Sequence, residues 1–213
     1  MTGPIPYDRI GYWSEIKLEI IREYASAYSR ILAAHRNPSF YHVYVDAFAG
    51  GGVHISRTTG ELVAGSPANA LQVDPPFREY HFIDLDANKA DSLRRLAEGR
   101  PQVHVYQADC NDVLLNQVFP TIRYEAYRRG LCLLDPYGLH LDWRVIQCAG
   151  EMRSIEIFLN FPVADMNRNV LWVNPEACPR GRPGPDEPVL GRRWLEGRPV
   201  RDPAGHVRLG IRT

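Results

Sequence analysis

Residues 41–52 read YHVYVDAFAGGG, and this stretch decides the fold. Tyr41 to Asp46 is rich in β-branched and aromatic side chains, the composition of a strand. It runs into Gly50, Gly51 and Gly52. Glycine at a strand exit permits positive φ and lets the backbone approach a ligand with no Cβ in the way. Asp46 closes the strand and Phe48 stands between it and the glycines, so the pattern is D-x-F-x-G-x-G. It reads as a cofactor loop, although a tight strand exit alone also calls for glycine.

Outward from this loop the chain alternates. Apolar, β-branched runs predict strands over 41–48, 80–85, 103–108, 131–134 and 155–161, and the intervening stretches predict helices over 66–73, 86–97, 111–119 and 142–153. Strands alternating with helices of about ten residues imply right-handed βαβ units on a parallel sheet. Leu131–Leu134 is apolar on both faces, as a sheet covered on each side requires. The expected fold is therefore α/β, a Rossmann-like, doubly wound, mostly parallel sheet. Upstream, the spacing predicts an amphipathic helix over 14–34, capped by Ser14 and ended by Asn37-Pro38. Its expected apolar face holds Ile16, Ile20, Tyr24, Tyr28, Ile31 and Leu32. The expected division is an N-terminal helical segment packed on the core (1–38), the Rossmann-like domain (39–174) and a tail (175–213).

Bulk composition is that of a globular protein, with 45% apolar and 23% charged residues and a formal net charge of zero. No global field points to nucleic acid or membrane, which leaves a local basic face open. Cys110, Cys132, Cys148 and Cys178 lack C-x-x-C spacing, so buried thiols in a reducing cytosol are expected and no metal is called for. The first twelve residues lack a signal pattern, and no apolar run approaches the roughly 18 residues of a membrane span. A cytoplasmic location is expected.

Acids recur at the expected strand ends. Asp84, at the end of the second main strand, is placed to accept both ribose hydroxyls of a nucleoside cofactor, or to stabilise a turn. Asp86 suits the cap of the next helix. Asp109 is placed to accept an adenine amine while the N–H of Cys110 meets the ring; it could equally cap the following helix. Val53–Gly65 reads as an inserted loop before Ser66-Pro67, where Ser66 suits a helix cap, Pro67 the first helical position, and the helix N-terminus an anionic group. Asp135-Pro136-Tyr137-Gly138 closes the fourth main strand and by itself suits a turn, its geometry supplied by Pro and Gly. Asn160 closes the fifth strand beside it. Trp13 and Lys17, one helical turn apart, read as a helix staple and a solvated charge. His54, His81, His104 and His140 receive no role.

In order, D-x-F-A-G, G-S-P, F-I-D-L-D, D-C-N, L-D-P-Y-G-L and N-F-P resemble the three-Cys-motif partner (TcmP) family over residues 12–174. The D-x-F-x-G-x-G loop resembles the first motif of S-adenosylmethionine-dependent methyltransferases, and Asp135-Pro136-Tyr137 the D-P-P-Y motif of amino-methyltransferases with one proline missing. The resemblance implies S-adenosylmethionine at Asp46, Phe48, Gly50, Gly52, Asp84, Asp109 and Cys110. It implies a methyl acceptor amine, such as that of a nucleobase, at Asp135, Pro136 and Tyr137. It also implies a three-cysteine-motif protein as partner, and leaves open whether the chain is an enzyme or a docking partner. Trp13 and Lys17 resemble the family's N-terminal W-x-x-x-K pattern.

From Pro175 the character changes: 7 Pro, 6 Gly and 8 Arg occur with no apolar periodicity. A disordered tail is the plain expectation. Permitted codons for Pro185–Glu196, read one base later, give Arg-Met-Asn-Arg-Phe-Trp-Gly-Asp-Asp-Gly-Trp, an aromatic segment that resembles the TcmP continuation. The sharper expectation is a shifted-frame translation after Asn174, leaving the family's C-terminal region truncated.

Overall fold

A computed structural model of the chain describes residues 7–37, 39–136, 140–161, 163, 200–201 and 207–208. The chain divides into two units, one of Met1–Asp135 with Val145–Asn160, the other of Pro136–Arg144 with Phe161–Thr213.

In the first unit, β1 (Asp8–Ile10) leads into α1 (Tyr12–Ala33). The opening stretch is β2 (Tyr41–Asp46), and the expected inserted loop is a hairpin of β3 (Val53–Ser56) and β4 (Leu62–Ala64). β1 joins β3 in parallel and makes a three-stranded sheet. A one-turn α2 (Ser66–Ala70) precedes β5 (Glu79–Asp84), α3 (Ala87–Leu96) and β6 (Val103–Gln107). Then come α4 (Cys110–Val113), β7 (Arg128–Leu134), α5 (Trp143–Met152, its first two residues in the second unit) and β8 (Ile155–Leu159).

The main sheet has the order β6-β5-β2-β7-β8, with every neighbouring pair parallel. The chain steps from β2 to β5 to β6, then returns to the other side of β2 for β7 and β8. This is the Rossmann-type order, and its switch point lies between β2 and β7. One face buries Tyr44, Tyr80, Phe82 and Leu131 against Ala25 of α1, Ala70 of α2 and Leu93 of α3. Side chains alternate across a strand, so Val43, Val45, Ile83 and Cys132 fill the other face. There Ile122 packs so closely on Gly130 that a Cβ at 130 would sit 3.0 Å from it. Helical segments thus cover both faces, and the expected doubly wound plan is the one observed.

Four local expectations are corrected. Helix α1 starts at Tyr12 with Gly11 as its N-cap, and Ser14 lies in the first turn with its N–H on the Gly11 carbonyl at 2.9 Å. Its buried face is Leu18, Ile21, Ala25 and Ser29, while Ile20 and Ile31 are 54% and 71% exposed. A row of residues four apart drifts around a helix of 3.6 residues per turn, whereas alternating steps of three and four stay on one face. At α2 the cap is Gly65, with Ser66 and Pro67 one position further in than expected. Finally, the helix expected over 111–119 is α4 followed by a π-helical turn, Leu114–Val118, and a 3-10 turn, Phe119–Thr121.

In the second unit Asp142 accepts the Arg144 backbone N–H and its Nε–H, each at 2.8 Å. Within the tail the described residues form a short antiparallel pair, β9 (Val200–Arg201) with β10 (Val207–Arg208). The rest of the tail, Tyr137 and Cys178 lie outside the described residues. Cys110 and Cys132 are buried free thiols and Cys148 is half-buried. Burial pushes the Cys110 thiol up to about 12, so it is inert at neutral pH. Among the described residues no helix is long and apolar enough to cross a membrane.

Candidate functional site at the strand ends

The switch point of a parallel sheet opens a crevice outside the carboxyl ends of its strands. Here those ends carry carboxylates. Asp46, the last residue of β2, is wholly buried; its Oδ1 accepts the Phe48 N–H at 3.3 Å and its Oδ2 has no protein partner. Burial pushes its carboxyl up to about 7, the Ser66 hydroxyl and the Phe48 N–H act in the opposite sense, and the nearby Asp135 and Asp84 charges add to the rise.

The glycine loop takes a backbone course that its sequence allows. Gly50 and Gly52 take φ of +64° and +82°, conformations that a side chain would disfavour. The Gly50 N–H donates to Asp84 Oδ2 at 2.9 Å, and the Asp86 N–H donates to Asp84 Oδ1 at the same distance. Asp84 therefore ties the loop after β2 to the end of β5 and keeps further lone pairs for a ligand. Asp86 caps α3 as expected, accepting from Asn88 and Lys89. Asp109 is exposed and caps α4, accepting the Asn111 and Asp112 N–H groups, while the Cys110 beside it is buried. The capping role weighed for Asp109 is thus filled; an adenine contact would have to use its remaining lone pairs.

Asp135 follows β7 and meets two side chains. Lys17 Nζ lies 2.5 Å from its Oδ2, and Asn160 Nδ2 donates to its Oδ1 at 2.7 Å. Lys17 is therefore not the solvated charge its sequence context suggests: α1 crosses the sheet and brings it to the end of β7. Pro136 is buried and begins the second unit, and Tyr137 falls outside the described residues.

His54 is a residue that sequence reasoning passed over. On β3 it lies against the glycine loop: a Cβ on Gly50 would sit 3.8 Å from the His54 ring, and one on Gly65 would sit 3.0 Å from its Nε2. Its Nδ1 is buried with no protein partner, and burial depresses its pKa, keeping the ring neutral. No sequence spacing could signal this, because the contact depends on the hairpin folding back. Phe48 is half-buried on the same loop. Among the described residues no group of three His, Cys, Asp or Glu is arranged to hold a metal.

No protein-family model matches the chain, and no curated protein matches it. Among solved structures it is similar to protein LPL1258 of Legionella pneumophila str. Philadelphia 1, a DUF519 protein, at 14% identity and a TM-score of 0.45 over 66% of each chain. The chain thus spans just under two thirds of that protein. It is also similar to the "putative methyltransferase" YhhF of Escherichia coli, at 14% identity and a TM-score of 0.40 over 66% of this chain and 67% of that one. A third is a "putative methyltransferase" of Thermobifida fusca YX, at 18% identity and a TM-score of 0.40 over 73% of this chain and 61% of that one.

Proposed function

We propose that this chain is an S-adenosylmethionine-binding protein of methyltransferase type, related to the three-Cys-motif partner proteins, that methylates an amine, with a nucleobase amine as the favoured acceptor. The observation that carries the reading is Asp135, held by Lys17 and Asn160 beside the switch point where the buried Asp46 ends β2. Asp46 Oδ2 and His54 Nδ1, both buried without protein partners, border the Gly50–Gly52 loop and fit a polar ligand there. Asp84 would accept the ribose hydroxyls, and Asp109 with the Cys110 backbone would meet the adenine.

When bound, S-adenosylmethionine supplies a methyl group activated on a sulfonium sulfur. The protein's task is then positioning and near-attack geometry. An incoming amine takes the place of Lys17 Nζ on Asp135 Oδ2, while Asn160 keeps Oδ1 fixed so that the freed oxygen stays aimed. By accepting the amine N–H, Asp135 would keep the nitrogen lone pair available and give the nitrogen's proton a place to go. Pro136 and Tyr137 would complete the acceptor seat by their resemblance to D-P-P-Y.

One observation favours a second reading. Both Asp135 oxygens are already engaged, which suits a non-catalytic partner that docks a three-cysteine-motif protein. The exposed Trp13, Ile20 and Ile31 of α1 offer such a protein an apolar surface. Calorimetric titration of S-adenosylhomocysteine, with Asp84→Ala as control, tests the cofactor: micromolar binding abolished by the substitution supports it, and absent binding from a cooperatively melting sample overturns it. Asp135→Ala then separates the readings, since lost methylation with retained partner binding is the enzyme's signature. The shifted frame after Asn174 is inferred from the composition change at Pro175, and the nucleotide sequence of the locus tests it.

A further inference from the structure

The opposite end of the sheet carries a surface that the cofactor crevice does not use. Phe40 precedes β2 and Tyr41 opens it, Arg78 precedes β5, and the loop Arg123–Tyr127 leads into Arg128 and Arg129 of β7. Tyr41 lies about 17 Å along β2 from Asp46, at roughly 3.3 Å per residue.

Guanidinium groups and rings are interleaved there. Arg129 lies 3.8 Å from the Tyr124 ring centroid and 5.1 Å from that of Phe40. Arg128 lies 4.3 Å and Arg78 5.9 Å from the Tyr41 centroid. The Phe40 and Tyr127 rings are 6.1 Å apart. Tyr124 and Tyr127 are 51% and 47% exposed, so ring area faces solvent. Tyr127 does so from a φ of +55°, a conformation that costs a side-chain-bearing residue on the order of 1 kcal/mol. A neighbouring concavity of about 600 Å³ is lined by His35, Asn37, Phe40, Tyr41, Arg78 and Gln102.

Charge is unbalanced at this end. Glu79 is committed to Arg128 at 2.5 Å, with His81 Nε2 at 2.9 Å and His104 Nε2 at 3.8 Å. Arg36, Arg78, Arg123 and Arg129 have no carboxylate within ion-pair distance among the described residues. Asp74, Glu125 and Glu156, the last accepting from the Tyr24 hydroxyl, are exposed acids at the same end. Exposed ring faces interleaved with planar cations suit stacked bases joined by phosphates. A duplex hides its base faces, so the fit is to a single strand.

We propose that this arginine–aromatic surface binds single-stranded nucleic acid, with bases on Tyr124 and Tyr127 and phosphates on Arg78, Arg123 and Arg129. The proposal stands whether or not the crevice binds S-adenosylmethionine. The test is fluorescence anisotropy of labelled twelve-nucleotide oligo-dT and oligo-U with the full chain at low and moderate salt. Arg78→Glu/Arg123→Glu is expected to weaken binding at least tenfold and to flatten its salt dependence. Tyr124→Ala is expected to weaken single-strand binding severalfold and to leave duplex binding unchanged. Thermal melts identify folded variants; Arg78→Gln/Arg123→Gln replaces the glutamates if these unfold. Three results would overturn the proposal: no wild-type binding at low salt, affinity untouched by the charge variants (which assigns binding to the arginine-rich tail), or an acidic peptide competing as well as the oligonucleotide with Tyr124→Ala silent.

Discussion

Lys17 and Asp135 show how contacts at one carboxylate carry different weights for stability and for chemistry. Their side chains are 30% and 27% exposed, so water screens the pair and its worth to folding is modest, about 1 kcal/mol or less. Lys17→Met is therefore expected to shift the melting temperature by only a few degrees. On the proposed reading the amine displaces Lys17 from Oδ2 while Asn160 keeps Oδ1 fixed, so the positioning loss belongs to Asn160→Ala, which should lower methyl transfer by about a hundredfold, on the scale of a lost positioning contact. Single-turnover methylation beside a thermal melt checks both halves. A large stability loss with unchanged transfer would assign both contacts to structure alone. Asp46 lies at the other extreme: wholly buried, with one oxygen unpartnered, it costs the fold stability whenever it is ionised.

Elements carry their own strain. Gly65 caps α2 while its N–H donates to the Gly52 carbonyl at 2.8 Å, and a Cβ would stand 3.0 Å from that oxygen. Gly65→Ala should therefore push β4 off the glycine loop and cost about 1–3 kcal/mol, the range for overpacking, read as a lower urea midpoint. Arg153 offers the converse. It follows α5 at φ +55°, exposed, where a glycine would normally end the helix. Arg153→Gly relieves that conformation and is expected to stabilise by about 0.5–1 kcal/mol, unless the added freedom of the unfolded chain offsets it. Chemical denaturation gives the sign directly.

At the scale of the whole molecule, two buried groups oppose each other across the same pH window. Asp46, raised to about 7, keeps its proton in the folded state while the unfolded chain has lost it, so it lowers stability as pH climbs from about 4 to 7. His81 is held down to about 4 by burial, partly countered by Glu79; its Nε2 lies 2.9 Å from Glu79 Oε1 without hydrogen-bond alignment. There the unfolded chain gains a proton that the folded one refuses, so stability is lost as pH falls from about 6.5 to 4. The two effects largely cancel, and a nearly flat profile between pH 4.5 and 6.5 is expected, in so far as these groups set it. Asp46→Asn removes one side. Its melting temperature should exceed wild type by more at pH 8 than at pH 5, with about 1–3 kcal/mol at stake. Equal gains at both values would mean that Asp46 is not the proton-holding group.

The strand-and-helix alternation and the glycine loop were legible because they are local. β-branched runs, caps such as Asp86, and the positive φ of Gly50 and Gly52 depend on residues close in the chain. The sequence by itself thus determined the doubly wound parallel plan and the acids at its strand ends. It did not determine the partners of those acids: Lys17 and Asp135 are 118 residues apart and meet because α1 packs across the sheet. Nor did it reveal that 53–65 folds into a hairpin placing His54 over the loop, or that α1 buries Leu18 and Ile21 while leaving Ile20 in water. Burial, close approach and the pKa values that follow depend on what surrounds a group in space, and only the tertiary structure decided that.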